Sequence, residues 1–311
     1  NESDCTLSEV EGDALLFYRK GEAIPRETMI RQCLDMFHAF HTRLKLIERD
    51  SICQCGACQT ATNLTLKFIV HYGPIKEIRV SRFVKASGLD MIIAHRLLKN
   101  GIPSDEYILT TQRYLDVLSN RNADGDLEWL SSSETYPAIG QLEYQYALLQ
   151  NIKSGIDDPP LPESLAYTVG PARIAVDVKL PMMDVYELLI DLENRIHWIP
   201  GLRNSRSEHA VDRLGSRHLC VFDDDTYEVV PSEHDIGKDK IRYVELNTGL
   251  KSGLIYPTEF LLTPAEGQST HVEMVIGEVP ESPIEEEIMK LVLHEWRHIA
   301  ESFKVFCESA S

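Results

Sequence analysis

PIEEEIMKLVLHEWRHIAESFKVFCE, residues 283–308, decides the fold of the half of the chain that it closes. Pro283 sits where a helix opens, because its fixed φ suits the first turn and its missing N–H is not needed there. Ile284, Ile288, Val292, Trp296, Ile299, Phe303 and Phe306 then recur at three- and four-residue steps. At about 100° per residue they keep to one face, so the spacing predicts a long amphipathic helix. Upstream, Ala172–Leu180 reads ARIAVDVKL and alternates as a half-buried strand does. Two short helices follow, Pro181–Leu192 and the approach to Trp198, and then strands over 216–222, 226–234, 240–248, 255–263 and 270–278. A curved antiparallel sheet of this kind leaves one face open. A long helix laid over that face encloses a cavity that takes apolar or amphipathic ligands. Tyr186, Trp198, His218, Tyr243, Tyr256, Met274, Trp296 and Phe303 are its expected lining. Glu245 and His218 are the expected acid or base, should the cavity do chemistry. The competing reading of the apolar positions is ordinary core.

The 311 residues suffice for two domains. A formal charge of −18, from 49 acidic and 31 basic residues, repels phosphate backbones and anionic lipid. The expectation is no nucleic-acid partner and, with no apolar run of about 20 residues, no membrane span. Seven cysteines, three of them between residues 53 and 58, do not read as an extracellular disulfide framework, so the cytoplasm is the expected compartment.

In the first half, residues 7–18 read as a β-hairpin turning at Glu11-Gly12-Asp13. Ile30, Cys33, Leu34, Phe37, Phe40, His41, Leu44 and Ile47 mark an amphipathic helix. Strands are expected over 64–73 and 75–84, a helix after Gly88, and a short strand from Tyr107. Prolines at 159, 160, 162 and 171 mark an interdomain linker. The expected division is 1–150, a linker over 151–171, and 172–311.

Three segments of the first half, in order, resemble class III adenylate/guanylate cyclases: Glu11-Gly12-Asp13-Ala14, then Phe68–Pro74 (FIVHYGP), then Gly88–Leu97 (GLDMIIAHRL). The resemblance covers about residues 7–118 and implies a ferredoxin-like domain, a nucleotide ligand, a homodimer with its site shared across two chains, and Mg or Mn if the site is active. It places Asp13 on a metal aspartate and Arg96 on the arginine that stabilises the transferring phosphoryl group. Glu9 and Lys85 fall where adenylate cyclases read the purine with a lysine and an aspartate. Ile92 replaces the asparagine that bonds the ribose, and the first metal aspartate, on a D-I-x-G-F strand, would precede Asn1. Phosphoryl transfer needs two metals or equivalent charge, so a degenerate, non-catalytic domain is the expectation. The second half resembles the START-like (SRPBCC) superfamily over about 172–308, which implies a helix-grip fold. The whole is then α+β, a ferredoxin-like cyclase-type domain followed by a helix-grip domain with a curved antiparallel sheet and a long C-terminal helix.

Smaller signals remain. Cys53-x-Cys55-x-x-Cys58 suits structural zinc, with Cys33 or His41 on the preceding helix, or Cys5, as fourth ligand; the alternative is a reduced thiol cluster without metal. His294-Glu295-Trp296-Arg297-His298 matches H-E-x-x-H, but its histidines fall opposite the apolar stripe, which is the mark of coincidence. The functional expectation is a sensor or adaptor binding a small hydrophobic or amphipathic molecule. The alternatives are an active nucleotide cyclase regulated by the second domain, and a START-like enzyme of the polyketide cyclase or aromatase type.

Overall fold

The computed structural model describes residues 5–80, 83–118, 127–162, 166–170, 173–207 and 213–310. The chain divides into two compact units, one of residues 1–45 and 63–158, the other of 46–62 and 159–311. Thus the end of the first long helix and the cysteine segment belong to the second unit, and the expected linker opens with a helical turn, α5 below.

The first unit begins with a hairpin, β1 (Thr6–Glu11) and β2 (Ala14–Tyr18), whose turn places Gly12 at φ 62°, a left-handed conformation that glycine adopts without strain. Helix α1 (Arg26–Asp50) follows, burying Ile30, Cys33, Phe37, His41 and Leu44 at helical spacing. After α2 (Gly56–Ala61, in the second unit) come β3 (Phe68–Val70), a second hairpin of β4 (Lys76–Val80) and β5 (Phe83–Ser87), α3 (Leu89–Leu97), β6 (Tyr107–Thr111), α4 (Gln112–Asp116), β7 (Trp129–Tyr136), β8 (Gly140–Leu148) and α5 (Gln150–Ser154). The single strand expected over 75–84 is therefore a hairpin. A four-stranded sheet runs β3-β6-β8-β7, with β3 parallel to β6 and the other pairs antiparallel. Among the described residues β2 pairs only with β1 and β3 only with β6, so each has one unpaired edge.

The second unit holds one antiparallel sheet of seven strands, in the order β10-β11-β12-β13-β14-β15-β9. The strands are β9 (Arg173–Val178), β10 (Asn204–Ser207), β11 (His218–Val221), β12 (Thr226–Ile236), β13 (Ile241–Gly249), β14 (Ile255–Ala265) and β15 (Ser269–Ile276). Helices α6 (Met182–Ile190) and α7 (Arg195–Trp198) sit between β9 and β10 in sequence, and α8 (Glu286–Ser309) ends the unit. The first strand bonding to the last, with a long closing helix, is the arrangement the START-like resemblance implied. β9 starts at Arg173, Ala172 lying outside the described residues. β13 shows why the sheet is so built. Ile241, Tyr243, Glu245, Asn247 and Gly249 take one face at period two, and all are buried.

Helix α8 starts at Glu286 and not at Pro283. Its buried positions are Val292, Trp296, Ala300, Phe303 and Cys307. The stripe thus drifts from the expected one: Ile288 is exposed, and Ala300 and Cys307 take the inner line. The apolar residues expected around a hollow, Tyr186, Trp198, Tyr243, Tyr256, Met274, Trp296 and Phe303, pack in one buried cluster as a core does. Ring contacts run through it, with centroid distances of 4.9 Å for Trp198–Phe303, 6.0 Å for Tyr243–Phe260 and 5.8 Å for Phe260–Trp296. The apolar end of the interior is closed by these side chains.

Phe303 is fully buried at this crossing. Phe303→Ala is expected to destabilise the second unit by about 3–5 kcal/mol, whereas Val305→Ala, on the exposed side of α8, should change stability by less than about 0.5 kcal/mol. Denaturant unfolding of the full chain followed by tryptophan fluorescence measures both.

Candidate functional site

Inside the second unit, the residues between α6 and β10 carry a cation into the core. Asp191 shapes the turn by accepting from Glu193 N at 2.9 Å and from Asn194 Nδ2 at 2.8 Å. The single turn of α7 that follows sets Arg195 and Trp198 three residues apart on one face, both buried. On the sheet, Glu245 faces Thr258 and Pro231, and Asn247 faces Tyr256 and Val229, which in turn pairs with His218. The inner face is therefore apolar along the row Ile174, Met274, Phe260, Tyr243 and mixed along the next two, where Glu245 and Thr258, then Asn247 and His218, stand among apolar neighbours.

Arg195 and Glu245 form an ion pair, each side chain 3% exposed. The Tyr243 hydroxyl donates to the same carboxylate oxygen at 2.7 Å. Asn247 Nδ2 donates to Thr258 Oγ1 at 3.1 Å, Ser216 Oγ lies 2.9 Å from His218 Nε2, and Trp296 Nε1 donates to the Tyr256 hydroxyl at 3.4 Å. Burial works against the charge on Arg195, but the Glu245 carboxylate outweighs it and holds the guanidinium protonated. Burial also pushes the phenols of Tyr243 and Tyr256 up, so both stay neutral, the first as a donor to Glu245 and the second as the acceptor from Trp296. Two buried donors in this region, Arg195 Nε and Trp198 Nε1, have no hydrogen-bond partner among the described residues. A buried polar atom without a partner costs on the order of 1–3 kcal/mol.

Of the expected lining, His218 and Glu245 are thus gathered at the polar end, while the other members form the aromatic core. Arg195, Asn247 and Thr258 are absent from the sequence expectation. The inward period of β13 was the available signal for Asn247. For Arg195 there was none, since an arginine in a short polar segment reads as solvent-facing.

The cysteine segment is a second feature of the same unit. The Sγ atoms of Cys53, Cys55 and Cys58 all lie within 4.8 Å of one another, a group that can hold a metal ion. Burial pushes the Cys53 thiol up to about 12 and raises Cys58, whereas a hydrogen bond from the Cys58 backbone holds exposed Cys55 below its ordinary value. The three proposed fourth ligands lie in the first unit. Cys33 is buried in the core of the first unit, and His41 Nε2 lies 3.0 Å from Glu106 Oε1, a carboxylate that Lys153 also reaches. Cys5 lines a cleft of the first unit. His294 and His298 are exposed, with Nε2 atoms 3.2 Å apart, and gather no third ligand among the described residues.

In the first unit the two positions singled out for nucleotide reading do meet. Lys85 Nζ lies 2.6 Å from Glu9 Oε2, and the pair lines a cleft of about 700 Å³ with Glu11, His95, Ile92 and Arg96. Lys85 holds the Glu9 carboxyl below its ordinary value. Glu9 and Glu11, two apart on β1, present one face to His95, whose ring nitrogens lie 3.8 and 3.5 Å from them. Asp13 is exposed at the hairpin turn and lines a larger cleft, of about 1690 Å³, that Arg96 also borders. Ile92 is exposed. Beneath the cleft, His71 Nε2 lies 3.0 Å from Asp90 Oδ1 and its Nδ1 2.9 Å from Thr111 Oγ1, and Arg113 pairs with the same aspartate. Thr111 caps α4, so this network ties β3, α3 and β6 together.

Residues 1–107 match a family described as "Protein of unknown function (DUF2652)". An uncharacterized protein of Mycobacterium tuberculosis (Rv2561/Rv2562) is 37% identical over 108 residues, which are 34% of this chain and 49% of that protein. The chain thus spans about half the length of the curated relative it matches. Among solved structures, a START superfamily protein of Mycobacterium smegmatis has 12% identity and a TM-score of 0.35 over 45% of this chain and 98% of that chain. The lipid transfer and protein localization domain of human StarD13 has 12% identity and a TM-score of 0.35 over 46% and 89%. The hypothetical protein jhp0584 of Helicobacter pylori has 9% identity and a TM-score of 0.38 over 48% and 99%. The architecture of the second unit stands on its own strand order and closing helix. No helix among the described residues is long and apolar enough to cross a membrane.

Glu245→Gln leaves a buried guanidinium uncompensated and is expected to cost about 3–5 kcal/mol, while replacing both partners by apolar residues (Arg195→Met with Glu245→Leu) should cost less than either single change. Denaturant titration of the full chain tests the order.

Burial holds His71, and likewise His41 and His234, below the ordinary histidine value of 6.5. The unfolded chain then binds these protons more readily than the folded one. Their contribution is intact above pH 6.5 and is lost as pH falls through the lower folded values. The full chain should lose stability between pH 7 and pH 5, and His71→Gln should flatten that loss in melting measured across the range.

Proposed function

We propose that the second unit is a receptor for a small amphipathic molecule, and that the chain works as a ligand-binding sensor or adaptor. The observation that supports this is the pair of unsatisfied donors, Arg195 Nε and Trp198 Nε1, beside a buried ion pair in an interior otherwise aromatic. A ligand with acceptor groups would satisfy such donors. The apolar remainder would lie toward Tyr256 and the small cluster of Leu202, Cys220 and Val229. The aromatase-like reading is less favoured, because Glu245 is engaged by Arg195 and Tyr243 and is not poised as a base.

The first unit, in this reading, is a cyclase-like nucleotide-binding partner domain without turnover, within functional domains of 1–150 and 172–311. The Glu9–Lys85 pair supports base recognition with the charges exchanged between the two positions. Phosphoryl transfer by two Mg or Mn ions would need a second metal carboxylate beside Asp13. A further strand would fit between the unpaired edges of β2 and β3, along the cleft of about 1690 Å³. The resemblance further implies a homodimer, and the cysteine triad takes a zinc-class ion.

Native mass spectrometry of full-length protein purified without detergent tests the receptor. One small molecule per chain is expected, retained by the wild type and lost in Arg195→Met/Glu245→Leu. A wild-type chain always free of adducts would contradict it. Incubation with ATP or GTP and manganese should give no cyclic nucleotide; product abolished by Asp13→Ala would overturn the non-catalytic reading.

A further inference from the structure

We propose that Cys55 and Cys58 form a redox-active dithiol that exchanges with small organic disulfides, Cys55 as the attacking thiol and Cys58 as the resolving one. Two sulfurs bonded to each other cannot hold an ion at the same time. The inference concerns the metal-free chain and does not rest on the zinc-class reading.

Spacing and turn geometry carry it. Cys55-Gly56-Ala57-Cys58 is a C-x-x-C sequence, a spacing that suits dithiol chemistry because one turn of chain brings both sulfurs together. Here the Gln59 N–H donates to the Cys55 carbonyl at 3.1 Å and closes that turn. The two Sγ atoms lie within 4.8 Å of each other. A disulfide needs about 2.05 Å between them, a closure within reach of rotation about the two Cα–Cβ bonds.

Exposure assigns the roles. Cys55 is exposed and Cys58 half-buried. A Cβ built on Gly56 would meet nothing within 4 Å among the described residues, so the approach beside Cys55 is open. An incoming disulfide therefore reaches Cys55 first. Cys220 and Cys307, in the same unit, are buried, and burial raises both thiols, Cys307 to about 12, which leaves them poor nucleophiles at neutral pH.

Cys53 is the competing partner, and its segment is fixed. Ile52 is fully buried in the main core of the second unit, and its carbonyl accepts from the Tyr186 hydroxyl at 2.9 Å. Ser51 Oγ donates to the Cys53 carbonyl at 3.3 Å. A Cys53–Cys55 bond would close a tighter ring, with one residue between the cysteines, and strain its geometry. Cys53 Sγ instead accepts the Cys55 N–H at 3.5 Å and stays a thiol.

The exchange balances in two steps. The Cys55 thiolate attacks one sulfur of a disulfide RSSR; the Cys55–SR bond forms, the S–S bond breaks, and RS⁻ leaves and takes up the proton that Cys55 gave to solvent. Cys58 gives its proton to solvent and attacks Cys55 Sγ; the second RS⁻ leaves and takes up that proton. The protein dithiol loses two electrons and RSSR becomes two RSH. Excess RSH runs the steps in reverse.

The test is incubation of the reduced full-length chain, in EDTA, with glutathione disulfide, followed by acid quenching and release of residues 50–67 by trypsin. That peptide should be lighter by two hydrogens, with fragmentation placing the bond between Cys55 and Cys58, and reduced glutathione should restore it. Cys53→Ser should keep the bond. Cys58→Ser should stop with one glutathionyl group on Cys55, and Cys55→Ser should slow reaction of this peptide at least tenfold. A wild-type peptide that stops at the mixed disulfide, a bond that includes Cys53, or wild-type rates in Cys55→Ser would each overturn the inference.

Discussion

A guanidinium and a carboxylate, Arg195 and Glu245, meet where the interior of the second unit is otherwise aromatic, and both are 3% exposed. Taking two such charges from water costs several kcal/mol each, and their attraction repays this only when the remaining donors and acceptors are satisfied. Tyr243 donates to the carboxylate oxygen that the guanidinium also meets. The guanidinium keeps one nitrogen without a partner, as does the Trp198 indole one turn further on. An apolar pair of similar volume would stabilise this core at least as well. In the proposed reading the charged pair serves a guest.

The rest of the unit holds that pair in place. The sheet brings Glu245 inward because β13 alternates, and α7 turns Arg195 toward it because Asp191 closes the preceding turn. Helix α8 seals the interior with Trp296 and Phe303, and Trp198, on the same turn as Arg195, packs on Phe303. The cysteine segment reaches the same core through Ile52 and Tyr186, and the Tyr186 ring lies 6.1 Å from that of Tyr243. A continuous set of packed rings and hydrogen bonds therefore joins the thiol triad to the ion pair within one unit.

Strong periodicity made α8, the four long strands β12–β15 and α1 legible. The drift of the α8 stripe, with Ile288 exposed and Ala300 buried, was not, because a helix's own period does not say which of its turns another element covers. β7 escaped because WLSSSETY is exposed along most of its length and so lacks alternation. Glu9 and Lys85 were reached through resemblance, and His95 beside them was missed because nothing in α3 marks it apart from solvent-facing neighbours. Arg195 was invisible for a general reason. Burial of a cation depends on a carboxylate fifty residues away in sequence, and no local pattern encodes that distance.

The most direct measurement is the crystallographic density at Arg195 and Trp198 in full-length protein purified from cells without detergent. The account predicts ordered non-protein density larger than water within about 3 Å of Arg195 Nε and Trp198 Nε1. Donors satisfied by water alone, or by protein side chains moved into the space, would contradict it.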